Sequence, residues 1–352
     1  MRIGAKFGRI ATAAVVAAAG LGVAASGASA APGTHPSFCD HDNRSTPYAA
    51  YLCAAAGELL DVRIGDVHPT QPSLGYDEVY YKLGRYTLGK DKINKRFDDW
   101  CEADGRDSAG SVPAGARLAD PSSFTCKLDV GKETAASVAA MKTVVIGPGG
   151  EPFLTDGHHT LTAFAETPDG GLNLHVRLRV LANYSTLTRQ DFWVQMQAHK
   201  WVWLRDADGN PITVNKLPKS VGLASFGNDR YRSLLYFGRD IGYTQTDLPF
   251  QEFYWGAWLR DAKPVDLSKW DNRALDSYLA TVKSFTEAMV ALPKNTVVDN
   301  GFTAADLHAM DKWNDGSAPG SGEFGKLSKL YADSKPGKLG YALEYKKVHD
   351  LA

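Results

Sequence analysis

Beyond its first thirty residues the chain has no stretch approaching the ~18 consecutive apolar residues that a membrane span requires, so a spanning helix is not expected there. It has no HExxH, no HxH and no CxxC, which removes the usual spacings for a catalytic zinc or a redox dithiol. The small-residue stretch "GLASFG" is not a Gly-x-Ser-x-Gly elbow, so an acyl-transfer triad is not indicated. Internal repeats are absent, as is low complexity outside the first thirty residues. A basic excess is also missing. The whole chain has 39 Lys and Arg against 40 Asp and Glu, and without Arg2, Lys6 and Arg9 the balance is 36 to 40, a net −4. That excludes the overall charge of a generic nucleic-acid binder, though not a local basic groove.

What is present begins with a leader. Arg2, Lys6 and Arg9 precede an apolar run from Ile10 to about Ala25, and Ala28-Ser29-Ala30 fits the small-x-small cleavage pattern. Residues 1–30 are therefore expected to be a secretory signal peptide, with Ala31 the first mature residue and the protein extracellular. Cys39, Cys53, Cys101 and Cys126 suit an exported protein with two disulfides. Four cysteines allow three connectivities; local loop closure favours Cys39–Cys53 and Cys101–Cys126. Eight Trp and 11% aromatic residues require a real core.

The periodicities predict an α+β fold. Residues 31–57 read as a disulfide-tied lead-in, with a short helix over 48–60. Alternation predicts strands at 60–65 and 172–181, and a hairpin at 143–146 and 152–155. Amphipathic helices are expected at 76–86 and 92–103, and a helix of high propensity at 132–142, with an irregular insertion at 102–123. Residues 58–185 form the α+β core on this reading. Residues 186–352 form a mostly helical region, with helices at 188–206, 271–292 and 303–313.

The candidate chemistry lies in "FLTDGHHTLTAF", 153–164. Thr155 or Asp156 is placed to cap a helix beginning near His158, and Gly157 lets the backbone turn or approach a ligand closely. Free N–H groups at such a helix start form an anion site, to which the Thr160 hydroxyl adds a donor. A histidine beside a bound phosphate is expected to be protonated and to act as a donor or general acid, with Asp156 orienting His158 or His159.

The order of strand, "DVHPTQPS", helices, hairpin and "DGHHTLTAF" resembles the ParB/sulfiredoxin-like superfamily, in its branch of ParB-like nucleases, over about residues 58–183. The resemblance implies a nucleotide or phosphate pocket between the two motifs, and phosphodiester hydrolysis as the activity. It implies Gly157, His158, His159 and Thr160 against the phosphates, with Gln71, Pro72 and Ser73 as the facing wall. Asp66 and His68 lie near enough in sequence to reach in, and Lys82 and Arg85 follow on the next helix. His159 stands where an Arg is usual, which removes a bidentate phosphate fork. His158 replaces the sulfiredoxin cysteine, which removes that chemistry. No helix-turn-helix signature follows residue 186, which argues against a chromosome-partition role. No cofactor is specified; a divalent metal drawn from Asp66, Asp156 or a histidine stays open, as does the oligomeric state. The alternative is a binding module without catalysis, in which Trp193, Trp201, Trp203, Trp255 and Trp258 line a cleft for a sugar, peptide or lipid. "GNDRYRSLLYFGRD", 227–240, carries arginines that could extend a phosphate groove or face solvent on an amphipathic helix.

Overall fold

The computed structural model describes residues 46–91, 94–314 and 323–351. The expected signal peptide and Cys39, and with it the Cys39–Cys53 pair, lie outside the described residues. In chain order the first part comprises β1 (Leu59–Arg63), β2 (His68–Pro69), β3 (Ser73–Leu74), α1 (Tyr76–Thr87), α2 (Lys95–Ala103) and α3 (Ala135–Ala140). It continues with β4 (Thr143–Ile146), β5 (Pro152–Leu154), α4 (His158–Glu166) and β6 (His175–Asn183). Then come α5 (Arg189–Ala198), β7 (Gly227–Asn228), α6 (Arg230–Gly238), α7 (Gln251–Ala262) and α8 (Leu275–Ala291). The chain closes with β8 (Val297–Asp299), β9 (Phe302–Thr303), α9 (Glu323–Leu327) and α10 (Lys338–Val348).

The fold is α+β. A mixed five-stranded sheet has the order β1-β6-β4-β5-β2. β1 runs antiparallel to β6, with Leu60 opposite Leu178 and Val62 opposite Val176. β4 lies parallel to β6 and antiparallel to β5, and β5 carries β2 parallel to it with His68 opposite Phe153. Alternation along β6 sends Val176, Leu178 and Val180 into the main core, where they join Leu83, Phe97 and Phe164 from the helices. Val145 and Phe153 leave the sheet's other face to meet Phe192 and Met196 of α5. A second core gathers Leu235, Trp255, Phe285 and Met289 from α6, α7 and α8.

α10 returns to pack along α1, and Gly84 permits the approach. A Cβ there would stand 2.6 Å from the Tyr341 carbonyl oxygen. Buried beneath this contact, Lys346 Nζ donates to Asp77 Oδ1 at 3.0 Å and to the Asn272 carbonyl at 2.9 Å. Tyr278 Oη donates to Asp77 Oδ2 at 2.8 Å.

Three expected helices differ. Residues 48–60 hold a 3-10 turn, Ala49–Tyr51, and the first residues of β1 in place of a helix. The helix expected over 188–206 ends at Ala198, because Lys200 turns left-handed (φ +55°) and the Trp203 amide is drawn to the Thr70 carbonyl. At 303–313 the Thr303–Asp306 cap pair forms, but His308 is left-handed (φ +51°) and only turns follow.

Cys101 and Cys126 are bonded, tying α2 to the end of the insertion across a sequence separation of 25. Closing a loop of that size restricts the unfolded chain, so the Cys101→Ser/Cys126→Ser protein should lose about 3 kcal/mol of stability in urea unfolding. Among the described residues no helix is long and apolar enough to cross a membrane.

Candidate functional site

The turn before α4 is built on Gly157. Its φ of +101° is left-handed, and a Cβ would lie 2.6 Å from Lys142 Cγ. This turn starts α4 abruptly. The first helical bond runs from the Leu161 amide to the Gly157 carbonyl at 2.8 Å. The amides of His158, His159 and Thr160 have no acceptor among the described residues.

These amides border a cavity of about 520 Å³. Gln71, Lys142, Asp156, Gly157 and Thr160 line it, together with both histidines. Arg179 enters from the face of β6 opposite its core-facing valines, and Arg232 and Arg239 from α6 and its end. Glu78 of α1, Asp247 from the loop before α7 and Glu252 of α7 complete the charged lining.

Arg232 Nη2 lies 2.9 Å from Glu78 Oε2, and Arg239 Nη2 lies 2.6 Å from Glu252 Oε1. Burial pushes both carboxyl groups up, but Arg232 and Arg239 outweigh it and hold both below the usual range. The four charges thus offset one another. Lys142 pairs with Asp156 at 3.2 Å. Arg179 has no carboxylate partner among the described residues, and its Nε is buried without a hydrogen bond. Arg232 is 4% exposed, and its Nε and Nη1 are likewise unsatisfied. Orphaned guanidinium donors are costly unless something accepts from them.

The histidines are placed differently from expectation. His158 Nε2 accepts from the Thr70 amide at 3.1 Å, and His159 Nε2 accepts from the Gly75 amide at 3.1 Å. Each ring therefore staples the Pro-containing loop to the start of α4, helped by Thr70 Oγ1 donating to the Leu154 carbonyl at 2.6 Å. The two expected motifs do meet in space. The expected protonated imidazole does not fit, because burial pushes His158 down to about 3 and His159 well below the usual range.

That depression gives a pH prediction. The unfolded chain takes up these protons near pH 6.5 while the folded protein refuses them, so stability is full above that pH and falls as the pH drops. Each ring should contribute a slope of about 1.4 kcal/mol per pH unit. In urea unfolding between pH 6 and pH 5, His158→Gln should flatten the dependence by about one proton; an unaltered slope would show that His158 titrates normally.

Other expected residues lie apart from the cavity. Lys82 is held at 3.3 Å by Asp99, whose Oδ2 also accepts from Tyr86. The Ser73 side chain is fully buried and does not line the cavity. Asp66 pairs with Arg63, and His68 packs on Phe153. Arg85 is bound to Asp91 and Tyr81. Among the described residues no three His, Cys, Asp or Glu converge as metal ligands. The aromatic cleft is not formed as expected, since Trp203, Trp255 and Trp258 are buried in the helical core; Trp201 borders the cavity.

Arg179, Glu78 and Glu252 were not expected from the sequence. Only Arg232 and Arg239 had a signal, in the arginines of 227–240; Arg232 lies on α6 and Arg239 caps its end.

Residues 60–261, which include every residue lining the cavity, match the model of a family described as "Putative ParB-like nuclease". No curated protein matches the chain. A solved structure, protein Atu1540 from Agrobacterium tumefaciens, is 22% identical over 67% of this chain and 95% of its own, with a TM-score of 0.44.

Proposed function

The chain belongs to the ParB-like nuclease family, and from that premise we propose that the cavity at the start of α4 binds a phosphate of a nucleotide or nucleic acid for phosphodiester hydrolysis. The observation that carries this reading is Arg232, buried with two unsatisfied donors in a cavity that also holds three unpartnered amides and the unpaired Arg179. An anion supplies acceptors to all of them, and the α4 dipole favours it further.

The chemistry follows from the same placement. In phosphodiester hydrolysis negative charge grows on the non-bridging oxygens, and donors fixed in advance stabilise it without reorganising. The amides of residues 158–160, the Thr160 hydroxyl and the two arginines fill that role. Asp156, exposed and paired with Lys142, takes a proton from the attacking water on this reading, while the P–O bond to the leaving oxygen breaks and that oxygen departs with the electron pair. His158 and His159, with Nε2 already engaged, act here as positioning residues that fix the loop against the helix.

Export belongs to the same proposal. The leader pattern and the Cys101–Cys126 disulfide support an oxidising compartment outside the cytosol.

The test is direct. Purified protein should bind pyrophosphate by calorimetry and release nitrophenol from a nitrophenyl phosphodiester. Failure of both, with the protein folded, would end this reading.

A further inference from the structure

A second cavity, of about 300 Å³, adjoins the first, and Arg239 lines both. Its remaining cationic lining is Lys326, Lys329, Lys335 and Lys338, from α9, the turn after it and the start of α10. Its apolar lining includes Phe237, Ile241, Leu327 and Pro336. The acid that lines it, Glu323, is already paired with Lys326. Lys329, Lys335 and Lys338 have no carboxylate partner among the described residues. Burial, then Arg239, lowers the Lys338 ammonium below its usual range, although Asp240, Glu323 and Glu78 oppose this. These lysines lie beyond the residues matched to the family, whereas Phe237, Arg239 and Ile241 lie within them, so the C-terminal region supplies one wall of the cavity.

We propose that the second cavity holds the neighbouring nucleotide of a single-stranded nucleic acid whose scissile phosphate occupies the first. The inference rests on the phosphate reading of the first cavity. Apolar surface beside unpaired lysines matches a nucleoside carrying a phosphate, and a track of cations is how proteins follow a single strand. Arg239 stands between the two positions, where a phosphate linking adjacent nucleotides would pass. A duplex keeps its bases paired inside and cannot place one in a recess of this size without first unpairing it.

The full mature chain and its Lys329→Gln/Lys335→Gln variant would be titrated with dTMP, (dT)2, (dT)4, the matching uridine series and a hairpin whose stem is fully paired. Wild-type affinity should rise from the mononucleotide to the tetranucleotide by on the order of tenfold at 0.1 M salt. The variant should lose that rise, and its slope of log affinity against log salt should fall by about 1.4, with dTMP binding unchanged. Tightening in either the deoxy or the ribo series supports the proposal. Equal wild-type affinity for dTMP and (dT)4, an unaffected variant, or a duplex bound as tightly as the single strand overturns it while leaving the first cavity's reading intact. No binding of dTMP or pyrophosphate by the wild type strikes both together.

Discussion

Arg232→Gln is expected to weaken pyrophosphate binding by about 2–5 kcal/mol, roughly thirty-fold to several thousand-fold in Kd. The size of the effect comes from burial. Arg232 is 4% exposed, so its bonds to an anion form with little competition from water. Glutamine keeps some donor capacity but loses the charge and the planar fork. Arg232→Lys keeps the charge alone and should fall between the two. The substitution also strips Glu78 of its 2.9 Å partner, so part of any loss could be structural. Arg232→Gln combined with Glu78→Gln removes that complication, because the remaining side chain no longer carries an unpaired charge. If the double variant melts like wild type and still fails to bind, the arginine acts on the ligand. If it binds pyrophosphate as wild type does, the cavity is not an anion site.

Lys346→Ala should destabilise the fold by about 3–5 kcal/mol without touching the cavity. Lys346 is 1% exposed and Asp77 3% exposed, and together with Tyr278 they join α1, α8 and α10. Burial already raises the Asp77 carboxyl above its usual range despite Lys346, so losing the lysine leaves a buried group that can ionise only at high cost. Replacing both charges, as Lys346→Met/Asp77→Asn, should recover much of the loss, since no charge is left buried without a partner and the amide oxygen still accepts from Tyr278. Urea unfolding of both variants beside the wild type measures this. A loss below 1 kcal/mol for Lys346→Ala would mean that water reaches the pair.

Local pattern made several parts of the molecule legible. The alternation of 172–181 reports a strand with one face buried, and the Gly157 turn with its following helix is visible because only glycine suits that φ beside Lys142. The same local rules overextended two helices. They count favourable residues but not the distant carbonyl that draws Trp203 onto Thr70, nor the left-handed residue that stops a capped turn from growing.

Taken alone, the sequence determined the α+β class and the glycine turn that opens α4, which follow from periodicity and local backbone geometry; that the loop and the helix meet was implied by the family resemblance. The tertiary structure alone decided which side chains could act. It turned both imidazoles into acceptors for loop amides, led Lys82 to Asp99, and brought Arg179 and Arg232 from separate elements to one cavity. Burial and pairing are relations between residues far apart in the chain, and the charge a group carries depends on them more than on its neighbours in sequence.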